Sequence, residues 1–123
     1  MSNAKHTITD SEYSIMKILW NSEKKMTVSD VVTALDGNDW TPSTVSTFLQ
    51  RLLKKNVVSC EKKGNTNLYY PILKQNDYDM SETESFLSKI YKGSVKNLVA
   101  ALYENKKLSK EDMSELKDMF DLE

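Results

Sequence analysis

The chain has 123 residues, with 17 Lys and Arg against 18 Asp and Glu, so its net charge is −1. This length predicts one domain with an extension, and no apolar run approaches the roughly 18 residues that indicate a membrane span. The single cysteine, Cys60, excludes an internal disulfide, and the N-terminus lacks the charged and apolar regions of a signal peptide. Together these features predict a cytoplasmic protein.

The charge is unevenly distributed along the chain. Residues 1–73 hold nine Lys and Arg against seven Asp and Glu, whereas residues 74–123 hold eight against eleven. Within residues 51–63 there are five cations and one acid, Glu61. A local basic patch is a better indicator of nucleic-acid binding than whole-chain charge, although many surfaces that never meet nucleic acid also carry one.

Several segments carry the signature of a helix start. A hydroxyl side chain at the N-cap accepts a hydrogen bond from a first-turn N–H, and an acid three residues later can accept one from the N-cap N–H. Thr9 with Glu12 has this spacing, and Thr27 and Ser109 repeat it with Asp. The helices predicted from these starts cover residues 10–22, 28–36 and about 110–120.

The most informative segment is a further helix predicted at residues 42–55. Thr41 is a suitable N-cap, and Pro42 occupies N1, where its missing N–H costs nothing. Trp40 and Val45 stand at hydrophobic-staple positions. The face opposite the apolar stripe has no acid and consists of Ser43, Thr44, Ser46, Thr47, Gln50, Arg51 and Lys54. Such a face suits a DNA major groove, because short polar groups reach base edges while cations bind phosphates.

After this helix the apolar period changes to two. Residues 58–63 and 67–72 are rich in β-type side chains and flank a Gly64-Asn65 turn, so they are predicted to form a hairpin. Pro71 restricts the second strand to an edge or an end. Three helices followed by a hairpin, with a polar and basic third helix, predict a winged helix-turn-helix, mainly α with a small β-hairpin.

The hairpin cations have two interpretations. Lys62 and Lys63 can simply keep an edge strand soluble. Because the third helix also ends in cations, we interpret them instead as wing contacts to phosphate or the minor groove. The predicted DNA-binding set is Ser43, Thr44, Ser46, Thr47, Gln50, Arg51, Lys54, Lys55, Lys62 and Lys63.

Residues 74–79 are polar and are predicted to link two regions. Residues 1–73 would form a winged-helix DNA-binding domain, and residues 74–123 a helical dimerisation domain. Three short helices can bury little surface alone, so their apolar stripes need a partner. A second copy in a two-fold dimer is the simplest one, and packing back onto the first domain is the alternative. The predicted dimer contacts are Phe86, Leu87, Ile90, Tyr91, Val95, Leu98, Val99, Leu102, Leu116 and Phe120.

No catalytic or metal-binding constellation is predicted. His6 is the only histidine and is expected to be a tail residue, and Cys60 has no second thiol with which to hold zinc or copper. Glu82 and Glu84 are two residues apart on a predicted helix and therefore do not face each other. We predict that the protein is not an enzyme and needs no cofactor.

The chain resembles the penicillinase and methicillin-resistance repressor family, together with its copper-responsive relatives, over nearly its whole length. The stretches that carry the resemblance are ITDSEYSIMKILW (8–20), WTPSTVSTFLQRLLKK (40–55), Tyr69-Tyr70 and FLSKIYKGSVKNLVAAL (86–102). The resemblance implies a homodimeric repressor that covers a pseudo-palindromic operator, with the C-terminal helices of the two protomers interlocked. In relatives paired with a membrane sensor protease, β-lactam binding leads to proteolysis within those helices.

The chain departs from the family pattern in three places, and these departures limit which properties of the family are expected of it. Alignment through NLVAAL puts the equivalent of the family's Asn-Phe scissile bond at Ala101-Leu102, which is a candidate cleavage site. Relatives with β-lactam roles carry basic residues at the positions that Ser43 and Ser46 occupy here. The operator sequence of those relatives is therefore not expected to be the one that this chain binds. The chain ends in MFDLE, without the Cys-x-Cys of the copper-responsive branch, so copper sensing of that type is not expected. A repressor that responds to another effector and a winged-helix module that binds protein remain the alternatives.

Overall fold

The computed structural model describes residues 7–37 and 39–120, so His6 lies outside the described residues. The chain divides into two compact units, an N-terminal unit, Met1–Asp79, and a C-terminal unit, Met80–Glu123. The elements in chain order are α1 (Asp10–Asn21), α2 (Val28–Ala34), α3 (Pro42–Lys54), β1 (Val58–Lys63), β2 (Thr66–Pro71), α4 (Gln75–Tyr91), α5 (Val95–Glu104) and α6 (Lys110–Met119). The predicted mainly helical fold with one hairpin is confirmed.

The first helices begin where their capping residues predict. Thr9 Oγ1 accepts a hydrogen bond from the N–H of Glu12 at 3.2 Å, and the Glu12 carboxylate accepts one from the Thr9 N–H at 3.1 Å. Thr27 and Asp30 form the same reciprocal box at the start of α2. Each box satisfies two backbone donors that a helix N-terminus otherwise leaves unpaired. The second helix ends at Ala34, slightly earlier than predicted.

The hairpin is antiparallel and joined by a two-residue loop. Lys63 pairs with Thr66 and Val58 with Pro71, so Pro71 closes the strand at its end as predicted. Gly64 opens the loop with φ +65°, a left-handed conformation that glycine adopts without a Cβ penalty. Met26, just before α2, exchanges two backbone hydrogen bonds with Tyr69, at 2.9 and 2.7 Å. The strand β2 is therefore paired on both sides.

The core of the N-terminal unit lies between its three helices and the hairpin. Its fully or almost fully buried apolar side chains are Ile15, Met16, Leu19, Met26, Val31, Val45, Leu49, Leu52, Val57, Val58 and Tyr69. The apolar stripe of α3 supplies Val45, Leu49 and Leu52, each with no exposed surface. This burial fixes which face of α3 is left for solvent.

The predicted linker at residues 74–79 is wrong, because α4 already begins at Gln75. Tyr78 is 7% exposed and packs its ring against Tyr13 and Trp20 of α1, at centroid distances of 5.7 and 6.2 Å. The Tyr13 hydroxyl also donates to Asp79 Oδ1 at 3.0 Å. A polar segment is thus helical because one aromatic side chain packs on α1. The division between the two units falls within α4, after Asp79.

The C-terminal unit contains the rest of α4, then α5 and α6. Ser94 caps α5, and Ser109 with Asp112 forms the predicted capping box at α6. Neither α5 nor α6 has a buried side chain. Many large apolar side chains of this unit are exposed, among them Phe86, Ile90, Val95, Leu102, Leu116 and Phe120. None of the helices described is both long and apolar enough to cross a membrane.

Candidate nucleic-acid interface

The outer face of α3, formed by the polar residues from Ser43 to Lys54, is the centre of the candidate interface. The Thr41 hydroxyl accepts the N–H of Thr44 at 3.2 Å, and Pro42 is the first helical residue. Because Val45, Leu49 and Leu52 are buried, the polar residues of α3 point away from the core. Ser43, Thr47, Gln50, Arg51 and Lys54 are exposed, whereas Thr44 and Ser46 are half-buried.

Two hydroxyls, one on this face and one at its N-cap, already donate their protons to residues of α3. Thr47 Oγ1 donates to the Ser43 carbonyl oxygen at 3.1 Å, and Thr41 Oγ1 donates to Thr44 Oγ1 at 3.2 Å. The Thr47 oxygen keeps its capacity to accept, and its methyl group can contact a thymine methyl. Thr47 is therefore a preformed acceptor and apolar contact rather than a free donor.

Gln50 connects α3 to the hairpin. Its Nε2 donates to the hydroxyl oxygen of Tyr69 at 3.2 Å, and the Tyr69 ring is almost completely buried. This bond fixes the amide of an exposed side chain against a rigid partner. A groove of about 360 Å³ runs beside it, between the start of α2, α3 and the hairpin. Its lining is uncharged and consists of Thr27, Val28, Ser29, Ser46, Gln50, Asn65, Thr66, Asn67 and Tyr69.

The hairpin is more basic than its composition indicates. Lys62 and Lys63 are exposed at the end of β1. The single acid of this segment, Glu61, is paired with Lys25 at 2.9 Å, and this hydrogen-bonded pair raises the pKa of Lys25. The Lys25 ammonium also lies 4.6 Å from the Tyr70 ring centroid. Glu61 is thus neutralised by a cation that the sequence analysis did not place at the hairpin.

The cations at the end of α3 are not equivalent. Arg51 and Lys54 are exposed, and the Arg51 guanidinium lies 5.7 Å from the Phe48 ring centroid. Lys55, by contrast, binds the carboxylate of Glu12 on α1. The Glu12 side chain is 1% exposed and that of Lys55 is 31% exposed. Of the predicted cations, only Lys55 is committed to a carboxylate within the part of the chain that the structure describes.

Burial and hydrogen bonding act in opposite directions on Glu12. Burial raises the pKa of its carboxyl group, because the charged form loses solvation. The hydrogen bonds from Lys55 and from the Thr9 N–H, with the positive charges of Lys55 and Arg51, outweigh burial and leave that pKa below its ordinary value. The carboxylate is therefore ionised at neutral pH. Sequence reasoning identified Glu12 only as a capping residue, since nothing local indicates a partner 43 residues away.

Metal-binding groups do not come together in the described residues. No cluster of three His, Cys, Asp or Glu side chains is placed to hold an ion between residues 7 and 120, Asn38 excepted. Cys60 is a half-buried free thiol on β1.

Comparison with known proteins agrees with this geometry. The family model described as penicillinase repressor matches residues 8–121. A penicillinase repressor of Bacillus licheniformis is 33% identical over 110 residues, which are 89% of this chain and 85% of the relative. The chain belongs to the penicillinase repressor family. The methicillin resistance regulatory protein MecI of Mammaliicoccus sciuri is 28% identical over 120 residues, 97% of each chain.

Solved structures give the same result for the N-terminal unit. The solution structure of the DNA binding domain of the repressor BlaI is 30% identical, with a TM-score of 0.53. The Bacillus licheniformis BlaI monomeric form in complex with the blaP half-operator is also 30% identical, with a TM-score of 0.51. Each covers 61% of this chain, and this chain covers 92% of each. The predicted family and the predicted winged helix-turn-helix are both confirmed.

Proposed function

We propose that this protein, a DNA-binding transcriptional repressor, binds a pseudo-palindromic operator as a homodimer in the bacterial cytoplasm. The observation that carries the proposal is the outer face of α3, which is exposed, free of acids and continuous with an uncharged groove and a basic hairpin. A helix of this composition fits the major groove, and a basic hairpin fits the flanking backbone. The half-operator complex of the BlaI relative supports the same class of ligand.

The proposed contacts divide by chemistry. The hydroxyl and amide side chains of α3 lie near base edges, where they accept, donate or contact a thymine methyl. Arg51, Lys54, Lys62 and Lys63 bind phosphates. The α3 helices of the two protomers enter successive major grooves on one side of the duplex, at least one turn apart. Repression follows because the bound dimer blocks polymerase at a promoter.

Dimerisation is proposed through the exposed apolar side chains of the C-terminal unit. Of its ten predicted contacts, Phe86, Ile90, Val95, Leu102, Leu116 and Phe120 are exposed, and Leu87, Tyr91, Leu98 and Val99 are half-buried. An apolar surface of this kind on a small helical unit marks an interaction site. If one half-site binds in the non-specific range of about 10⁻⁴ to 10⁻⁶ M, linking two gains a factor on the order of 10² to 10⁴.

Repression would be relieved by separating the protomers, through disruption or proteolysis of the C-terminal helices. The candidate scissile bond, Ala101-Leu102, lies inside α5. The Ala101 carbonyl oxygen accepts two hydrogen bonds from Asn105, one from its backbone N–H at 3.1 Å and one from Nδ2 at 2.7 Å. A protease, such as a paired membrane sensor, binds its substrate extended, so this part of α5 must first open. The regulated genes are proposed to belong to antibiotic resistance, the process named in the MecI relatives.

Salt titrations of DNA affinity test the proposed face. A fluorescently labelled mixed-sequence duplex, and then a duplex enriched by selection from a random pool, are titrated between 50 and 200 mM salt. Arg51→Ala should weaken binding to both duplexes and reduce the salt slope by about 0.9, because one phosphate contact is lost. Lys17→Ala, an equal charge change on exposed α1, is the matched control and should leave the slope unchanged. Equal slopes for wild type and Arg51→Ala would contradict the phosphate role.

Sequence preference tests the base-reading role separately. Thr47→Val keeps the shape of the side chain but removes its oxygen, so it should weaken binding to the selected duplex more than binding to the mixed duplex. Equal losses on both would contradict the assignment of Thr47 to a base edge. A wild-type protein with no salt-dependent affinity for any duplex would overturn the proposed function as a whole.

A further inference from the structure

We propose that Glu12 withholds the Lys55 ammonium from DNA and thereby reduces the sequence-independent attraction between α3 and the phosphate backbone. The inference rests on the proposed function, because it concerns the cations beside the DNA-binding face. It assigns Glu12, a core-facing acid on a different helix, a role in specificity. It also removes Lys55 from the predicted set of phosphate ligands.

The geometry of the pair supports this role. Lys55 follows the last residue of α3, one position beyond the exposed cation Lys54. A solvated lysine at this place would extend toward the backbone of a duplex in contact with α3. Instead its ammonium binds Glu12 Oε1, which also accepts the Thr9 N–H at 3.1 Å. The carboxylate therefore has two fixed donors and cannot follow the lysine outward without losing one.

Burial makes the pair asymmetric. Glu12 is 1% exposed, whereas a third of the Lys55 side chain reaches solvent. If Lys55 moved to a phosphate, it would leave a buried carboxylate with only one hydrogen-bond donor, and an unpaired buried charge is strongly unfavourable. The lysine would regain the charge interaction at the phosphate, but Glu12 would regain nothing. The exchange is therefore unfavourable as long as Glu12 is ionised.

The neighbouring cations differ from Lys55 because they have no carboxylate partner. Among the residues that the structure describes, no ion pair is formed by Arg51, Lys54, Lys62 or Lys63. All four are exposed. They can bind phosphate without breaking an ion pair. The consequence is that four of the five predicted cations at the end of α3 and in the hairpin are available to DNA, and non-specific binding is weaker for that reason.

The charge-removing variant Glu12→Gln tests the inference directly. Glutamine is a capping-box residue as well, so its amide oxygen can still accept the Thr9 N–H and α1 keeps its start. Lys55 is released, and its charge becomes available to phosphate. On a mixed-sequence duplex the salt slope should steepen by about 0.9, which is a further loss of about 3.5-fold in affinity between 50 and 200 mM salt.

The double variant Glu12→Gln/Lys55→Gln identifies the source of the gain. Its slope should return to the wild-type value, because the released charge is gone. A slope for Glu12→Gln equal to wild type would overturn the inference. So would a double variant whose slope falls below wild type, since Lys55 would then already bind phosphate in the native protein.

NMR of the unmodified protein gives a second test that does not depend on the folding of the variants. The ¹H–¹⁵N signal of the Lys55 ammonium should shift little when the mixed duplex is added, whereas that of Lys54 should shift strongly. A large Lys55 shift would overturn the inference while leaving the proposed function intact. If no lysine signal shifted and no binding were detected, the proposed function itself would fail.

Discussion

The two units of this protein differ in how far their apolar side chains are exposed to solvent. Every buried hydrophobic side chain of the described residues belongs to the N-terminal unit. Ten of the eleven exposed large hydrophobics belong to the C-terminal unit, the exception being Ile72. The N-terminal unit buries its apolar side chains in a core of its own, whereas the helices of the C-terminal unit leave large apolar side chains exposed. An exposed apolar surface of this kind marks an interaction site, and in the proposed dimer a second copy of the chain covers it.

Local helix signals do not explain this difference, because both units have them. Thr41 caps α3 and Ser109 caps α6 with the same kind of hydrogen bond. Capping decides where a helix begins, but tertiary packing supplies most of its stability. The units therefore differ in long-range packing rather than in local sequence chemistry.

The largest expected effect is the loss of the proposed dimer. Leu98→Asp places a charge on the apolar stripe of α5, so the protein should sediment as a monomer and lose operator affinity by a factor on the order of 10² to 10⁴. Ala100→Asp makes a similar change on an exposed position of the same helix and should stay dimeric. A dimer that survives Leu98→Asp would show that the two copies associate through a surface other than the apolar stripe of α5.

A core truncation in the N-terminal unit should act on folding instead. Leu49 has no exposed surface, so Leu49→Ala should lower the free energy of unfolding by about 2–5 kcal/mol, as measured by urea denaturation followed by far-UV circular dichroism. Leu49→Met conserves volume and should cost less than about 1.5 kcal/mol. The sedimentation behaviour of the folded Leu49→Ala protein should be that of wild type. A change in oligomeric state would show that the units are not separable in this way.

The decrease in the free energy of unfolding at acidic pH should depend on Glu12. Because its pKa is lower in the folded chain than the ordinary value of 4.5, its stabilising contribution is complete above that value and is lost as pH falls through the folded pKa. In Glu12→Gln the free energy of unfolding should therefore fall less steeply on acidification than in wild type. The exposed Glu82→Gln is the matched control and should retain the wild-type slope. Identical slopes for wild type and Glu12→Gln would contradict the ion pair.

Removing a single helix cap should change stability least, and only in the unit that contains the cap. Thr41→Ala should destabilise the N-terminal unit by about 1 kcal/mol, because the Thr44 N–H loses its acceptor. Ser109→Ala should leave the hydrogen-exchange protection of α1 and α3 amides unchanged, since its hydrogen bonds lie in α6. Loss of protection in α3 on Ser109→Ala would show that the two units unfold together.

Local signals predicted the fold of the N-terminal unit well. The capping residues Thr9, Thr27 and Thr41 placed three helix starts, because a cap acts within one turn. The start of α4 does not follow from local signals, because α4 is stabilised there by Tyr78 packing on Tyr13 and Trp20, contacts that span more than fifty residues. A lone aromatic residue in a polar segment has no periodicity to reveal it.

The candidate interface shows the same limit. The polar outer face of α3 follows from helical spacing, and the structure exposes it as predicted. The partners of its side chains do not follow from spacing: Gln50 with Tyr69, Lys25 with Glu61 and Lys55 with Glu12 are all long-range pairs. Sequence therefore located the surface, while only the tertiary fold distinguished available cations from committed ones.

Both tryptophans of the chain, Trp20 and Trp40, lie in the N-terminal unit, and the indole Nε1 of Trp20 donates to the Leu73 carbonyl oxygen at 2.8 Å. Their fluorescence emission is consequently an intrinsic reporter of that unit alone. Six of the eight secondary-structure elements are helices, and three of them begin in each half of this element order. The far-UV ellipticity of the chain therefore reports on the helices of both units. During denaturation, any ellipticity lost before the emission maximum moves therefore originates in the C-terminal helices. Ordinary spectroscopy can thus follow the two halves separately without an added label.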